Sequence, residues 1–283
     1  MVFEPPDVPS PRTIPFSAHN KKELSTWWSC HSTLLADASR FKPLTSAPHL
    51  VLFGDSITEG WRGTSYGKPV PRTSGVPEVL RETLAQSWPS VMPLGIAADM
   101  TQHLLWRLQR GELSASMRAD VQLRMALLIG TNNLGKGHTV EQTVRGIVAC
   151  ATELLNSTRG SLLINALLPR GDRRKRGKAR GRGFLGDIAA VNGELMSGGA
   201  RRALESTFPR RVHFIDCGAP FLAPGVALTD TASTWRRAES GVAAAPGPQD
   251  VVRRDLMPDR LHPNAAGHRL WAACLQPALQ RMG

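Results

Sequence analysis

His49-Leu50-Val51-Leu52-Phe53-Gly54-Asp55-Ser56-Ile57-Thr58-Glu59-Gly60-Trp61 is the stretch from which the rest of the chain is read. Leu50 to Phe53 is an unbroken apolar run of strand length, the pattern of a short buried strand. Gly54-Asp55-Ser56 stops it and turns the chain. A serine there lies at the carboxyl end of a strand, where open α/β sheets place their chemistry. The same residues have a plainer meaning. Ser56-Ile57-Thr58-Glu59 is also a capping box, with the Ser56 hydroxyl on the third helical amide and Glu59 reaching back. The segment alone leaves both readings open.

Working outward, four further apolar runs read as strands: Val91 to Ala97, Met125 to Ile129, Leu162 to Leu168 (stopped by Pro169) and Val212 to Ile215. Helical patterns separate them. Before the opening strand, Leu24, Trp27, Trp28, His31, Leu34 and Leu35 share one broad face from about Lys21. Residues 62–76 read as a loop, and Pro77 opens a helix to Trp88. Asp99 is placed to cap a helix that Gly111 closes. Val140, Val144, Ile147, Val148, Ala151, Leu154 and Leu155 follow the helical period most clearly. A helix from about Phe184 to Phe208 is weakened by Gly198-Gly199, and the last, from about Asn264 to Gln280, is disturbed by Pro277. Strands alternating with helices predict an α/β fold, a five-stranded parallel sheet covered on both faces. Right-handed crossovers then bring the strand C-termini to one edge. Residues 1–45 are expected to be an N-terminal extension with one helix, its first 19 residues Pro-rich and extended or disordered. Residues 46–283 form the main domain, with a long insertion at 218–258.

The 283-residue chain is 41% hydrophobic, enough for a sizeable core. No segment approaches the roughly 18 consecutive apolar residues of a membrane span. The N-terminus has neither the basic nor the apolar region of a secretory signal. The expectation is a soluble cytoplasmic protein. Cys30, Cys150, Cys217 and Cys274 are scattered, with no Cys-x-x-Cys, and read as free, mostly buried thiols and not as a disulfide framework or zinc site. The net charge is +12, and residues 170–182 carry eight Lys or Arg against one acid. That loop could take nucleic acid or an anionic surface. No aromatics interleave with its charges, so a solvated loop is the favoured reading. Nothing in the sequence opposes a homodimer.

Three strand ends and one later turn share the same edge: Gly54-Asp55-Ser56, Gly95-Ile96-Ala97-Ala98-Asp99, Gly130-Thr131-Asn132-Asn133 and Asp259-Arg260-Leu261-His262. Together they supply what ester hydrolysis needs. Ser56 is a candidate nucleophile, and a hydroxyl needs a base to accept its proton. His262 suits that role because its pKa lies near neutrality. Asp259, three residues earlier, falls on the same side of a turn and can orient the imidazole. Asn132, with the backbone amides of Ser56 and Ala98, can face a developing oxyanion. Each piece alone is more simply a cap or a turn; their combination points to chemistry.

With these four blocks the sequence resembles the SGNH, or GDSL-type, hydrolase superfamily over roughly residues 49–275. The stretch Leu94 to Leu113 and Leu167-Leu168-Pro169-Arg170-Gly171 are similar to the catalytic subunits of intracellular platelet-activating factor acetylhydrolases. The resemblance implies a flavodoxin-like three-layer sandwich and hydrolysis of short acyl esters, above all acetyl esters, of a lipid or carbohydrate. It implies no metal or organic cofactor. An acyltransferase using the same residues and a catalytically impaired protein binding through the basic loop are the rival readings. One position departs from the family: Ala98 stands where the second block normally has glycine. If that turn needs a positive φ, alanine is strained there by roughly 1–2 kcal/mol. Ile57, Glu59, Trp61 and Leu261 are candidate substrate-wall residues by their nearness to Ser56 and His262.

Overall fold

The structure, a computed structural model, describes residues 4–15, 22–42, 48–171, 183–224 and 251–282. Most of the basic loop, 172–182, and the central part of the insertion, 225–250, lie outside the described residues. Five strands, β1 (Leu50–Gly54), β2 (Val91–Gly95), β3 (Arg124–Leu128), β4 (Ser161–Asn165) and β5 (Val212–Ile215), form one sheet. Their spatial order is β2-β1-β3-β4-β5, and every pairing is parallel. The architecture is therefore the expected α/β one, with helices flanking the sheet. The run Leu50 to Phe53 is fully sheltered, each residue at most 2% exposed, because β1 is an interior strand paired on both edges and covered on both faces. The chain leaves β1 for β2 on one side and returns for β3 on the other. A crevice opens outside the carboxyl ends of strands at such a switch point.

The helices follow their patterns, with informative departures. Helix Val140–Ser157 buries Val144, Ile147, Cys150, Ala151, Leu154 and Leu155, and Thr139 and Gln142 close a capping box at its start. The helix expected from Phe184 to Phe208 is two, Leu185–Met196 and Gly199–Thr207, because the glycine pair ends the first. Helix Ala265–Gln280 runs through Pro277. In helix Glu23–Ser39 the two tryptophans part company: Trp27 is fully buried, while Trp28 is 43% exposed. No helix among the described residues is long and apolar enough to cross a membrane.

Two expectations are corrected and one is sharpened. Asp99 does not cap the helix that follows it; Met100 is the first flanking residue of Thr101–Arg107, and the Asp99 carboxylate is turned inward to buried donors. Residues 4–15, expected to be extended or disordered, carry no helix or strand but are held against the fold: Thr101 Oγ1 donates to Pro6 O at 2.7 Å, the Ser10 amide donates to Gln102 O at 3.2 Å, and Arg12 is only 2% exposed. The cysteines are not all free. Cys217 and Cys274 are joined by a disulfide with their Cα atoms 5.8 Å apart, because β5 ends beside helix Ala265–Gln280. Cys30 and Cys150 are free and buried.

Candidate active site

The end of β1 is built for close approach. A Cβ at Gly54 would lie 2.3 Å from Leu128 O, and one at Gly95 would lie 2.5 Å from both Asp55 O and Glu59 N. Only glycine at both positions lets the short helix Ser56–Glu59 sit directly on the strand ends. That helix is capped by Asp55, whose Oδ1 accepts from the Ile57 amide at 3.0 Å. The capping-box reading of Ser56 is thereby overturned. Ser56 is the first helical residue, and Glu59 does not reach back to it. The buried Glu59 carboxylate accepts from the Ala97, Tyr66 and Gly67 amides at 2.7, 3.0 and 2.7 Å and from Thr64 Oγ1 at 2.8 Å. It binds the 64–69 hairpin to the end of β2.

The Ser56 hydroxyl, freed from capping, lies 2.9 Å from His262 Nε2, and His262 Nδ1 lies 2.6 Å from Asp259 Oδ2. With the Ser56 proton directed at Nε2, the Nδ1 proton donates to the carboxylate. Arg260, at φ 62°, makes this turn possible: its left-handed backbone folds the chain so that Asp259 Oδ1 also accepts the Leu261 and His262 amides at 3.1 and 2.7 Å. The turn is anchored where the Gly171 amide donates to Arg260 O at 2.8 Å. Burial would raise the Asp259 carboxyl, but the His262 hydrogen bond and charge and the two amides outweigh it and hold it well below the usual carboxylate range. Burial pushes the His262 imidazole below its ordinary value; the Asp259 hydrogen bond opposes this, and the Arg72 charge adds to the lowering. A neutral imidazole beside a hydroxyl is a ready proton acceptor.

A second histidine, His268, lies beneath this group. Its ring nitrogens face Asn264 O and Ile57 O at 3.0 and 3.4 Å, and burial pushes its pKa down to about 4. A neutral ring has one N–H to give to these two carbonyls; donated from Nε2 to Ile57 O, it ties the last helix to the helix that carries Ser56. Asp55 is wholly buried, and burial pushes its pKa up to about 7, against the Ile57 amide and with the Asp99 charge adding to the rise.

The second and third strand ends supply donors. Ala98 has φ 61°, the left-handed conformation that the departure from glycine made questionable. Among the described residues neither the Ala98 nor the Ser56 amide is hydrogen-bonded. Asn132 Nδ2 donates to Asp99 O at 2.9 Å and makes a long 3.4 Å contact to Asp55 Oδ2. The adjacent Asn133, not singled out from the sequence, is fully buried. It joins the third strand end to helix Thr101–Arg107 through the Thr101 amide at 3.0 Å and Thr101 Oγ1 at 2.9 Å.

The four candidate substrate-wall residues fall differently. Ile57 and Trp61 are buried at 3% and 1%, with Trp61 stacked on Trp271 and edge-on to His268. Glu59 is spent on backbone amides, as above. Leu261 is the partly exposed member, beside His262. A cavity of about 340 Å³ opens elsewhere, behind the hairpin; its lining includes Ser25, Ser29, Cys30, Thr64 and Tyr66 but neither Ser56 nor His262. Among the described residues no group of three or more His, Cys, Asp or Glu side chains is placed to hold a metal ion.

Sequence reasoning also missed Arg12, Trp27, Arg107 and Glu112, all buried behind the Ala98 turn. Their signal was weak: Arg107 and Glu112 are charged residues in an otherwise apolar helical stretch, Trp27 reads as ordinary apolar packing, and Arg12 lies in a segment with no helix or strand.

Known proteins resemble this chain in sequence and in fold. The sequence profile of the GDSL-like lipase/acylhydrolase family matches residues 52–270. Platelet-activating factor acetylhydrolase IB subunit alpha1 of Bos taurus is 29% identical over 164 residues, 57% of this chain and 59% of the relative, so the match spans well under two thirds of that protein. The Rattus norvegicus alpha1 subunit is 28% identical over 215 residues, 75% of each chain. Among solved structures, one described as an acylhydrolase from Bacteroides fragilis superposes with a TM-score of 0.60 at 16% identity, covering 88% of this chain and 95% of that one. A GDSL-like lipase from Bacteroides thetaiotaomicron superposes with a TM-score of 0.58 at 15% identity, covering 89% and 97%. At these identities the structural likeness shows the fold.

Proposed function

Since the chain belongs to the GDSL-like lipase/acylhydrolase family, we propose that it is a serine esterase acting through Ser56, His262 and Asp259 on short acyl esters, above all acetyl esters, of a lipid or carbohydrate. The observation that carries this reading is the line of hydrogen bonds from Ser56 Oγ through His262 to Asp259, at 2.9 and 2.6 Å. The preference for acetyl rests on the acetylhydrolase relatives.

The chemistry runs in two halves. Ser56 Oγ attacks the ester carbonyl while His262 Nε2 takes its proton, and Asp259 steadies the imidazolium. The carbonyl oxygen becomes an oxyanion held by the Ala98 and Ser56 amides and by the Asn132 Nδ2 proton that exchanges its long 3.4 Å contact to Asp55 Oδ2 for the oxyanion, the other staying on Asp99 O. The ester C–O bond breaks as His262 returns the proton to the leaving alcohol. Water then attacks the acyl-serine with His262 again as base, the bond from the acyl carbon to Ser56 Oγ breaks, His262 returns the proton to Oγ, and the acid leaves. Leu261 is the residue we assign to the acyl wall.

Purified protein is expected to hydrolyse p-nitrophenyl acetate and to be labelled at Ser56 by a fluorophosphonate. Ser56→Ala should abolish both. Equal rates for wild type and variant would refute the reading. An alcohol acceptor in place of water would make the protein an acyltransferase, and product analysis with added alcohols or sugars separates the two. The cytoplasmic placement is part of the proposal, and the Cys217–Cys274 disulfide bears against it, because such bonds persist in oxidising compartments. Alkylation and mass spectrometry of the protein taken from cells decide between them.

A further inference from the structure

Asp99 follows Ala98, and both ends of it are held. Its carboxylate is wholly buried and accepts Trp27 Nε1 at 2.7 Å and Arg12 Nη2 at 3.3 Å on Oδ1, and Arg107 Nε at 2.8 Å on Oδ2. Its carbonyl accepts Asn132 Nδ2. Both arginines reach further. Arg107 Nη2 donates to Gly54 O at 3.1 Å, at the end of the strand that carries Ser56, and Arg107 also pairs with Glu112. Arg12 Nη1 pairs with Glu23 at 2.8 Å. Arg12 itself comes from the segment 4–15, which lies across helix Thr101–Arg107.

Two features of this region are costly. Charged groups withdrawn from water carry a desolvation penalty that apolar packing would avoid. An alanine in the left-handed region is strained and persists only where its surroundings over-determine it. Both occur on one turn. Apolar residues at 12, 99 and 107 could fill the same space. They could not set the direction of the Asp99 carboxylate and carbonyl, and through them the neighbouring Ala98 amide and the Asn132 side chain.

We propose that Arg12 and Arg107 are positioning residues: by clamping Asp99 they hold Ala98 in its left-handed turn, with its amide and Asn132 Nδ2 directed at the oxyanion formed on Ser56. The N-terminal segment is then a working part of the active site. This inference rests on the esterase reading given above for its catalytic consequence.

The test is a double-mutant cycle in the full chain, Arg12→Ala against Ala98→Gly, read by p-nitrophenyl acetate kinetics and by urea unfolding. Misplacing a reacting group by about 1 Å can cost 100-fold. Arg12→Ala is expected to lower kcat about 10–100-fold with KM held within about 2-fold. Glycine takes up the left-handed turn without help, so the same substitution in the Ala98→Gly background should cost only about 3-fold. Arg12→Lys, which can pair with one carboxylate at a time, should fall between wild type and Arg12→Ala; it carries the same cycle if Arg12→Ala does not fold. An equal loss in both backgrounds, or a loss in KM alone, would overturn the proposal. If the wild type hydrolyses no ester, the esterase reading fails. The coupling is then read from unfolding: Arg12→Ala should destabilise the protein more with Ala98 present than in the Ala98→Gly background. Strict additivity would overturn it.

Discussion

Asp259 is much more exposed than the histidine it holds: its side chain is 48% accessible against 18% for His262, with 2.6 Å between Oδ2 and Nδ1. The carboxylate works from the rim of the site, and the imidazole lies between it and Ser56. Burial acts on both groups: at Asp259 the His262 hydrogen bond and charge and the two amides outweigh it, and at His262 it prevails although the Asp259 hydrogen bond opposes it.

The first prediction concerns activity against pH. His262 accepts the Ser56 proton only when neutral, so kcat/KM should fall as pH drops through a His262 pKa lying below 6.5. Removing the Asp259 charge takes away a contribution that raises that pKa. Asp259→Asn should thus shift the acid limb to lower pH while reducing kcat by about 10²–10⁴-fold. A pH–rate profile of both proteins checks this; a wild-type profile with no acid limb at any pH at which the protein stays folded would remove His262 from the role of base.

Ala98 provides the second. At φ 61° alanine carries roughly 1–2 kcal/mol of strain, and glycine recovers it less its own entropy cost of about 0.4–1 kcal/mol. Ala98→Gly should stabilise the protein by about 0.5–1 kcal/mol, seen as a higher urea midpoint with an unchanged slope. A lower midpoint would mean that the turn is not strained.

Asp55 should make stability depend on pH. Its folded pKa of about 7 lies above the unfolded value of 3.8, so the folded state holds the extra proton between them. Its contribution is thus least unfavourable below pH 3.8 and is lost as pH rises through 7. The loss is about 4 kcal/mol, an order-of-magnitude figure at 1.36 kcal/mol per unit. The stability of wild type relative to Asp55→Asn should fall by several kcal/mol between pH 4 and 8. A difference that stays constant with pH would show that Asp55 is ionised throughout.

The disulfide yields the fourth. Cys217 and Cys274 are 57 residues apart, and closing a loop of that length stabilises a fold by about 2–4 kcal/mol. Cys274→Ser should lower stability by that amount. A reductant should destabilise the wild type and leave the variant unchanged. Equal sensitivity of the two proteins to reductant would argue that the bond is not formed in solution.

What could be read from the chain alone was what depends on short separations. Apolar runs and their spacing marked the five strands, because strand and helix periods are local and a central strand has no polar face to hide. Asp259 and His262 could be paired because three residues make one turn. The strain at Ala98 could be posed as a question, though not answered, since φ is not visible in a residue's identity. Other features depended on which surfaces the fold brings together. Asp55, and not Ser56, caps the helix, because Ser56 Oγ meets an imidazole 206 residues away. Asp99 turned from a cap into the centre of a buried cluster, because Arg12, Trp27 and Arg107 converge on it from three segments. Cys217 found Cys274 because β5 ends beside the middle of the last helix. A buried charge or thiol takes whatever partner packing delivers, and the partners delivered here lie far apart along the chain.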